Sequence, residues 1–270
     1  MKIYNRRLIT GITLIVVIIL YSLVSTIFYE GDTSEWYLVQ KNLKPSSDFI
    51  LGSTGLGQEI FYLLSDSILY SLIIGISVAM FSTLLGVIIG CISGFIGGPV
   101  DKLLIFFMDA IIAIPSLPIL ILLASLFKGD FTLLLVCIVL VLFNWPWPAR
   151  QARAMSLSIK ENDFIYVALF SGQSLLNIVF TEIYPHIKNW AFANFINTVL
   201  VAIAIETGLA VIGLSSLEDT TLGTMIYWSL KYQAILLEQW FWVGAPVIAT
   251  IVLFLSLFCL STGSSDINNK

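Results

Sequence analysis

From Ser67 to Val100 the chain runs for 34 residues without a charged side chain. At ~1.5 Å per residue a helix of that length exceeds the ~30 Å hydrocarbon core of a bilayer, so its ends must project or tilt. Hydrocarbon offers no water to bond to, which leaves helices and closed barrels as the structures able to cross it. Within the run, Ser82, Gly86, Gly90 and Gly94 recur every four residues. That spacing lines small residues along one helix face and lets another backbone come close, so the ridge is read as a helix-packing surface. The run should lie inside a bundle.

Five further apolar runs accompany it. Residues 8–29 hold no charge over 22 residues and follow Lys2, Arg6 and Arg7. They are long enough to span, and no small-residue cleavage site follows, which argues for a first span over a removed signal peptide. Leu103–Phe127 is the third span, interrupted by Asp109, Pro115 and Pro118. Phe131–Ala149 is the fourth and ends in Trp145-Pro146-Trp147-Pro148. Asn189–Leu217 is the fifth, with Glu206 as its one charge, and Gln239–Ser265 contains the sixth. Hydrophobic residues make up 58% of the chain and charged ones 11%. Too little polar surface remains for a soluble domain of this length. The expected fold is all-α, a polytopic membrane protein of six transmembrane helices. It divides into residues 1–66 (first helix and a polar loop), a five-helix core over 67–266, and a polar tail at 267–270.

Six spans place both termini on one side. That side carries Lys2, Arg6, Arg7, Lys102, Arg150, Arg153, Lys160, Lys188 and Lys270; the other carries Lys41, Lys44, Lys128 and Lys231. An excess of Lys and Arg marks the cytoplasmic side, so both ends and the 150–188 segment are expected to face the cytoplasm. Arg150 and Arg153 are read as anchors at the inner interface.

Trp147 to Trp190 is the long polar segment between two apolar spans. From Phe164 onward, Val167, Ala168, Ser171, Gly172, Leu175, Leu176 and Val179 follow at helical spacing, so one face is built to sit against something. Asn162 and Asp163 can cap and charge its start, Gly172 and Ser174 can break it into two short helices, and Pro185 is expected to stop it. A helix lying on lipid would carry Lys and Arg on its polar face, yet Asn162 to Glu182 contains neither. A protein partner fits better.

Several chemistries are excluded. No G-x-x-x-x-G-K-[ST] occurs, so the chain has no Walker-type cradle for ATP. Gly52-Ser53-Thr54-Gly55-Leu56-Gly57 lacks a lysine and reads as a turn. The single histidine, His186, sits beside Pro185 in a solvated or capping position, and Cys91, Cys137 and Cys259 lie in apolar runs, so neither a metal site nor a disulfide framework is indicated. Asp109 and Glu206 are the carboxylates within spans. Burying such a group costs at least ~2.5 kcal/mol, so each should face protein or water. Asp109, before the proline kink, reads as a structural bond; Glu206 reads equally as pathway lining or packing.

Taken together, these residues resemble the inner-membrane permease subunits of peptide/nickel-type ABC importers, in particular the smaller of the two paired permeases. The family's cytoplasmic motif has an E-A-A core, a glycine four residues after the second alanine, and I-x-P beyond it. Ala168, Gly172, Ile183 and Pro185 stand at those positions. N-W-P-W-P-A-R-Q-A-R and S-L-S-I-K-E-N-D-F precede them, and G-S-T-G-L-G-Q-E, G-F-I-G-G-P-V-D, D-A-I-I-A-I-P-S, E-T-G-L-A-V-I-G-L and L-G-T-M occur in order elsewhere. Tyr166 and Val167 replace the motif's Glu and first Ala, Ser216 to Thr221 replaces a proline-rich loop, and S-T-G-S-S-D replaces the usual tail.

The resemblance implies an ABC importer permease fold of type I character in the plasma membrane of a bacterium or archaeon. It implies a second homologous permease subunit, two cytoplasmic ABC ATPase subunits, an extracytoplasmic solute-binding (lipo)protein and surrounding lipid as partners, with no nucleic acid. ATPase coupling would fall to Phe164, Val167, Ala168, Ser171, Gly172 and Pro185. The chain itself would hold no cofactor and catalyse nothing, ATP and Mg²⁺ being bound by the partner subunits. The solute would be peptide-like, a metal or a metal chelate. The alternative is a self-sufficient ion-coupled transporter using Asp109 and Glu206. Such a protein should show an internal repeat with paired broken helices, and none is evident.

Overall fold

The computed structural model describes residues 2–126 and 132–268. Phe127, Lys128, Phe131 and Lys270, used above to bound two spans and to count charges, lie outside the described residues. Among the described residues there is no strand, only an isolated β-bridge between Ser53 and Glu59. The helices are α1 (Lys2–Ser22), α2 (Val24–Phe28), α3 (Ile60–Ile96), α4 (Gly98–Ala113), α5 (Ser116–Leu126), α6 (Leu133–Asn144) and α7 (Pro146–Lys160). They are followed by α8 (Asp163–Phe170), α9 (Leu175–Ile178), α10 (Tyr184–Val211), α11 (Leu222–Lys231) and α12 (Trp240–Asn268). Among the described residues five stretches are long and apolar enough to cross a membrane, and α4 with α5, bent by 72°, would make a sixth.

α3 is the axis of the bundle. It packs most extensively against α7 and α10 and also touches α1, α6 and α12. It starts at Ile60 and not near Ser67, so Asp66 lies inside a helix and not in a loop. The Ser25 and Thr33 hydroxyls both donate to that carboxylate, which lets the helix carry it. Gly97 and Gly98, at φ +71° and +64°, then reverse the chain into α4, with Pro99 in its first turn.

The Trp145-Pro146-Trp147-Pro148 stretch does not end the fourth span. Pro146 and Pro148 occupy the first turn of α7, where a backbone N–H has no helical partner to lose, and the Ala149 N–H still reaches the Trp145 carbonyl at 3.2 Å. Leu133 to Lys160 therefore runs on as one membrane-length stretch. Pro185 likewise fails to stop its helix. Val179–Ile183 forms a π-turn, and the Tyr184 N–H donates to the Val179 carbonyl five residues back. Widening the turn by one residue makes room for the pyrrolidine ring, so Leu175 to Val211 continues as a single stretch.

Among the described residues three buried clusters hold the bundle. One gathers Leu56, Ile60, Leu64, Met225, Trp242 and Leu257 where α1, α3, α11 and α12 meet. A second joins α3, α5, α6 and α10 through Val78, Leu120, Val136, Leu140 and Leu209. The third, at the end bearing Arg153 and Lys160, contains Cys91, Phe95, Ala152, Ile165, Ala168, Ile178 and Ile183.

Candidate functional site

The basic end is built on the small-residue ridge of α3. A Cβ on Gly86 would meet Pro148 Cγ at 2.6 Å, one on Gly90 would collide with the Ala149 carbonyl, and one on Gly94 would meet the Arg153 carbonyl at 2.6 Å. α7 therefore lies against α3 at backbone contact, with Ala149, Ala152 and Ser156 filling the groove. Ser156 Oγ donates to the Cys91 carbonyl at 3.1 Å. Ser82, one turn further along, is fully buried, and its hydroxyl has no partner among the described residues.

Charges clasp the same junction. Arg153 makes a two-pronged pair with Asp101, Nε and Nη2 at 2.6 and 2.7 Å, and the Ser93 hydroxyl donates to the same carboxylate at 2.5 Å. Lys160 Nζ donates to the Phe95 carbonyl at 2.6 Å, satisfying an acceptor at the end of α3. Arg153 is thus more than an interfacial anchor: it ties α7 to the α3–α4 turn. Asp101 could have been noticed as the lone acid after Gly-Gly-Pro-Val, but its partner lies 52 residues away. Arg150 pairs with Asp109 at 3.3 Å, and that carboxylate is half-exposed, not enclosed.

α7 hands the chain to α8. Asn162 stands at the N-cap of α8, but its side chain caps nothing there; it turns back to the Ser158 and Ile159 carbonyls of α7. α8 ends in a Schellman turn: Gly172 N–H reaches Leu169 O at 3.1 Å and Gln173 N–H reaches Ala168 O at 3.3 Å. Gly172 takes φ +76°, and Ser174 caps α9 by accepting from the Asn177 N–H.

The apolar stripe of this helix pair divides between two faces. Ile165 and Ala168, the latter 5% exposed, join Ile178, Val179 and Ile183 in the buried cluster. Phe164 is half-exposed with its ring 5.4 Å from His186, while Val167 at 64% and Phe170 at 89% stand clear of the protein. Ser171, Gly172 and Pro185 are exposed. Tyr166, Val167, Phe170, Leu175 and Leu176 leave an uncovered apolar face at the basic end. Ala168 holds the helix to its own chain, and Val167 and Phe170 face outward. Periodicity alone could not separate these two sides, because an eight-residue helix offers apolar residues to both.

Glu206 lies at the opposite end of α10 with no exposed surface. Its Oε1 accepts from Thr221 Oγ1 at 2.9 Å and Ser215 Oγ at 3.4 Å, tying the 212–221 loop to the helix; Oε2 has no partner among the described residues. Asp109 and Glu206 are not brought together.

A bundle of apolar helices around a backbone-tight axis, presenting a short apolar helix pair from its basic end, is the frame of a polytopic membrane protein. The family of binding-protein-dependent transport system inner membrane components matches residues 86–270. The chain belongs to that family, and it is a multi-pass protein of the plasma membrane. Relatives include the oligopeptide transport system permease protein OppC of Mycobacterium tuberculosis, 28% identical over 183 residues, which are 67% of this chain and 63% of that protein. OppC of Bacillus subtilis is 31% identical over 211 residues, covering 78% of this chain and 68% of that protein. OppC of Lactococcus lactis is 26% identical over 253 residues, 93% of this chain and 86% of that protein. The chain thus spans just under two thirds of the mycobacterial relative.

Proposed function

We propose that this chain is one of two paired permease subunits of an ATP-driven, binding-protein-dependent importer. With its sister permease it forms the path for a peptide-like solute, two cytoplasmic ATPases engage α8 and α9, and an extracytoplasmic binding protein delivers solute to the opposite end. The observation that carries this reading is the uncovered apolar face of Tyr166, Val167 and Phe170, held at the basic end by a seat of the chain's own buried residues. Exposed apolar clusters of this kind mark contact surfaces. The oligopeptide names of the relatives support a peptide over nickel or a metal chelate. An ion relay would need Asp109 and Glu206 on one path, and the pairing of the first with Arg150 and the enclosure of the second speak against it.

Phe170→Asp places a charge on the outward face and leaves the buried seat untouched. We expect normal membrane levels with co-purifying ATPase and uptake both reduced about tenfold or more, the equivalent of at least ~1.4 kcal/mol of docking energy. Retention of both would remove α8 from the contact.

A further inference from the structure

The bend between α4 and α5 opens a cavity of about 460 Å³ against α6, α7 and α10. Asn144 at the end of α6 and Gln151 in the second turn of α7 line one side of it, with Ser116 at the start of α5. Asn194, Asn197 and Thr198 come from α10. Among the described residues every one in the lining is uncharged, and neither Asp109 nor Glu206 is part of it. Four carboxamides clustered within membrane-length stretches are poorly placed to face lipid, which can bond to none of them.

The protein's own bonds use only part of what these side chains offer. Asn144 Nδ2 donates to the Leu140 carbonyl at 2.7 Å, and Gln151 Oε1 accepts from Trp190 Nε1 at 3.1 Å. Asn194 Nδ2 lies 3.4 Å from both Thr83 Oγ1 and Thr198 Oγ1. Asn197 is exposed and bonded to nothing among the described residues. A carboxamide carries two donors and an acceptor with two lone pairs, so each of the four retains free capacity of one or both kinds.

We propose that this amide-lined cavity is a peptide-backbone station on the translocation path. It rests on the importer reading above and assigns that reading a site. Each residue of a peptide presents one N–H and one C=O, the same pair of groups that a carboxamide offers in return. Hydrogen bonds of this kind hold the main chain whatever its side chains are. With no charge among the described residues of the lining, the station neither traps a terminal ammonium or carboxylate nor discriminates between acidic and basic side chains.

The test uses the assembled transporter, produced with its partner chains, and trialanine as the probe. With each native cysteine replaced by alanine, Asn197→Cys should react with a water-soluble thiol reagent in opened membranes, and excess trialanine should slow that labelling several-fold. Separately, Asn197→Leu and Gln151→Leu should each lower trialanine uptake about tenfold while ATPase co-purification stays at the wild-type level. Labelling of Asn197→Cys only by a lipid-soluble maleimide, or wild-type uptake by Asn197→Leu, overturns the station while wild-type peptide uptake leaves the importer reading standing. If the wild-type transporter takes up no trialanine with ATP supplied, the importer reading fails and the station with it, even where the cysteine reacts from water.

Discussion

Gly90 and Gly172 are both glycines on the path to the basic end, and their surroundings give the same substitution different causes of damage. At Gly90 a Cβ would strike the Ala149 carbonyl and lie 2.8 Å from Ala152 Cβ, so neither helix can yield without opening the α3–α7 contact. Gly90→Ala should cost ~1–3 kcal/mol, and Gly90→Leu should abolish folded protein, as read by monodisperse yield and melting temperature in detergent. At Gly172 nothing lies within 4 Å of a built Cβ, and the cost is one of backbone conformation at φ +76°. Gly172→Ala should therefore lower stability by only ~1 kcal/mol, with insertion unchanged. Glu206 offers a third contrast. Gln keeps an oxygen for Thr221 and Ser215, so Glu206→Gln should fold and, in an ATP-driven importer, keep uptake when a proton gradient is collapsed. Glu206→Leu removes the acceptor that the buried Ser215 and Thr221 hydroxyls share, at about 1–3 kcal/mol, visible as a lower melting temperature.

At the scale of elements, the junction of α3, α4 and α7 is held by close packing and by one two-pronged ion pair. The Arg153 and Asp101 side chains are 24% and 12% exposed, so water screens the pair only in part. Removing one partner leaves a poorly hydrated charge. Arg153→Met should destabilise more than the double change Asp101→Asn with Arg153→Met, since the second substitution removes the orphaned carboxylate. Melting temperatures of the two variants in detergent would check the order; equal losses would mean that Arg153 acts through its packing alone. The π-turn ahead of Pro185 belongs to this scale too, because it carries α10 through a proline and so joins the α8–α9 pair to a membrane-length helix without a flexible link.

At the scale of the whole molecule, the apolar helix pair and the Glu206 loop lie at opposite ends of α10. The Lys and Arg distribution predicts that the first faces the cytoplasm. Cysteines introduced at Ser46 and Ser174, both exposed, report on the two ends in a background lacking the native cysteines. Ser46→Cys should react with an impermeant thiol reagent in intact cells, and Ser174→Cys only after the membrane is opened. Labelling of Ser174→Cys in intact cells would invert the molecule and separate α8 from any cytoplasmic ATPase.

The set of membrane-length runs, the ridge of small residues on one of them, and the polar segment between the fourth and fifth are all legible in residue order alone. These are properties of composition and period, written in neighbouring residues, and lipid admits few structures that satisfy a backbone. Where runs begin and end was decided otherwise. Asp66, Pro146, Pro148 and Pro185 look like boundaries locally, but hydroxyls of Ser25 and Thr33, a helix first turn and a π-turn absorb each of them. Helix packing settles which side of α8 faces the protein, pairs Arg153 with Asp101, and brings four carboxamides from three helices to the border of one cavity. Partners such as Arg153 and Asp101 stand 52 positions apart, and no periodicity connects side chains across that distance; their meeting is fixed by how the helices pack.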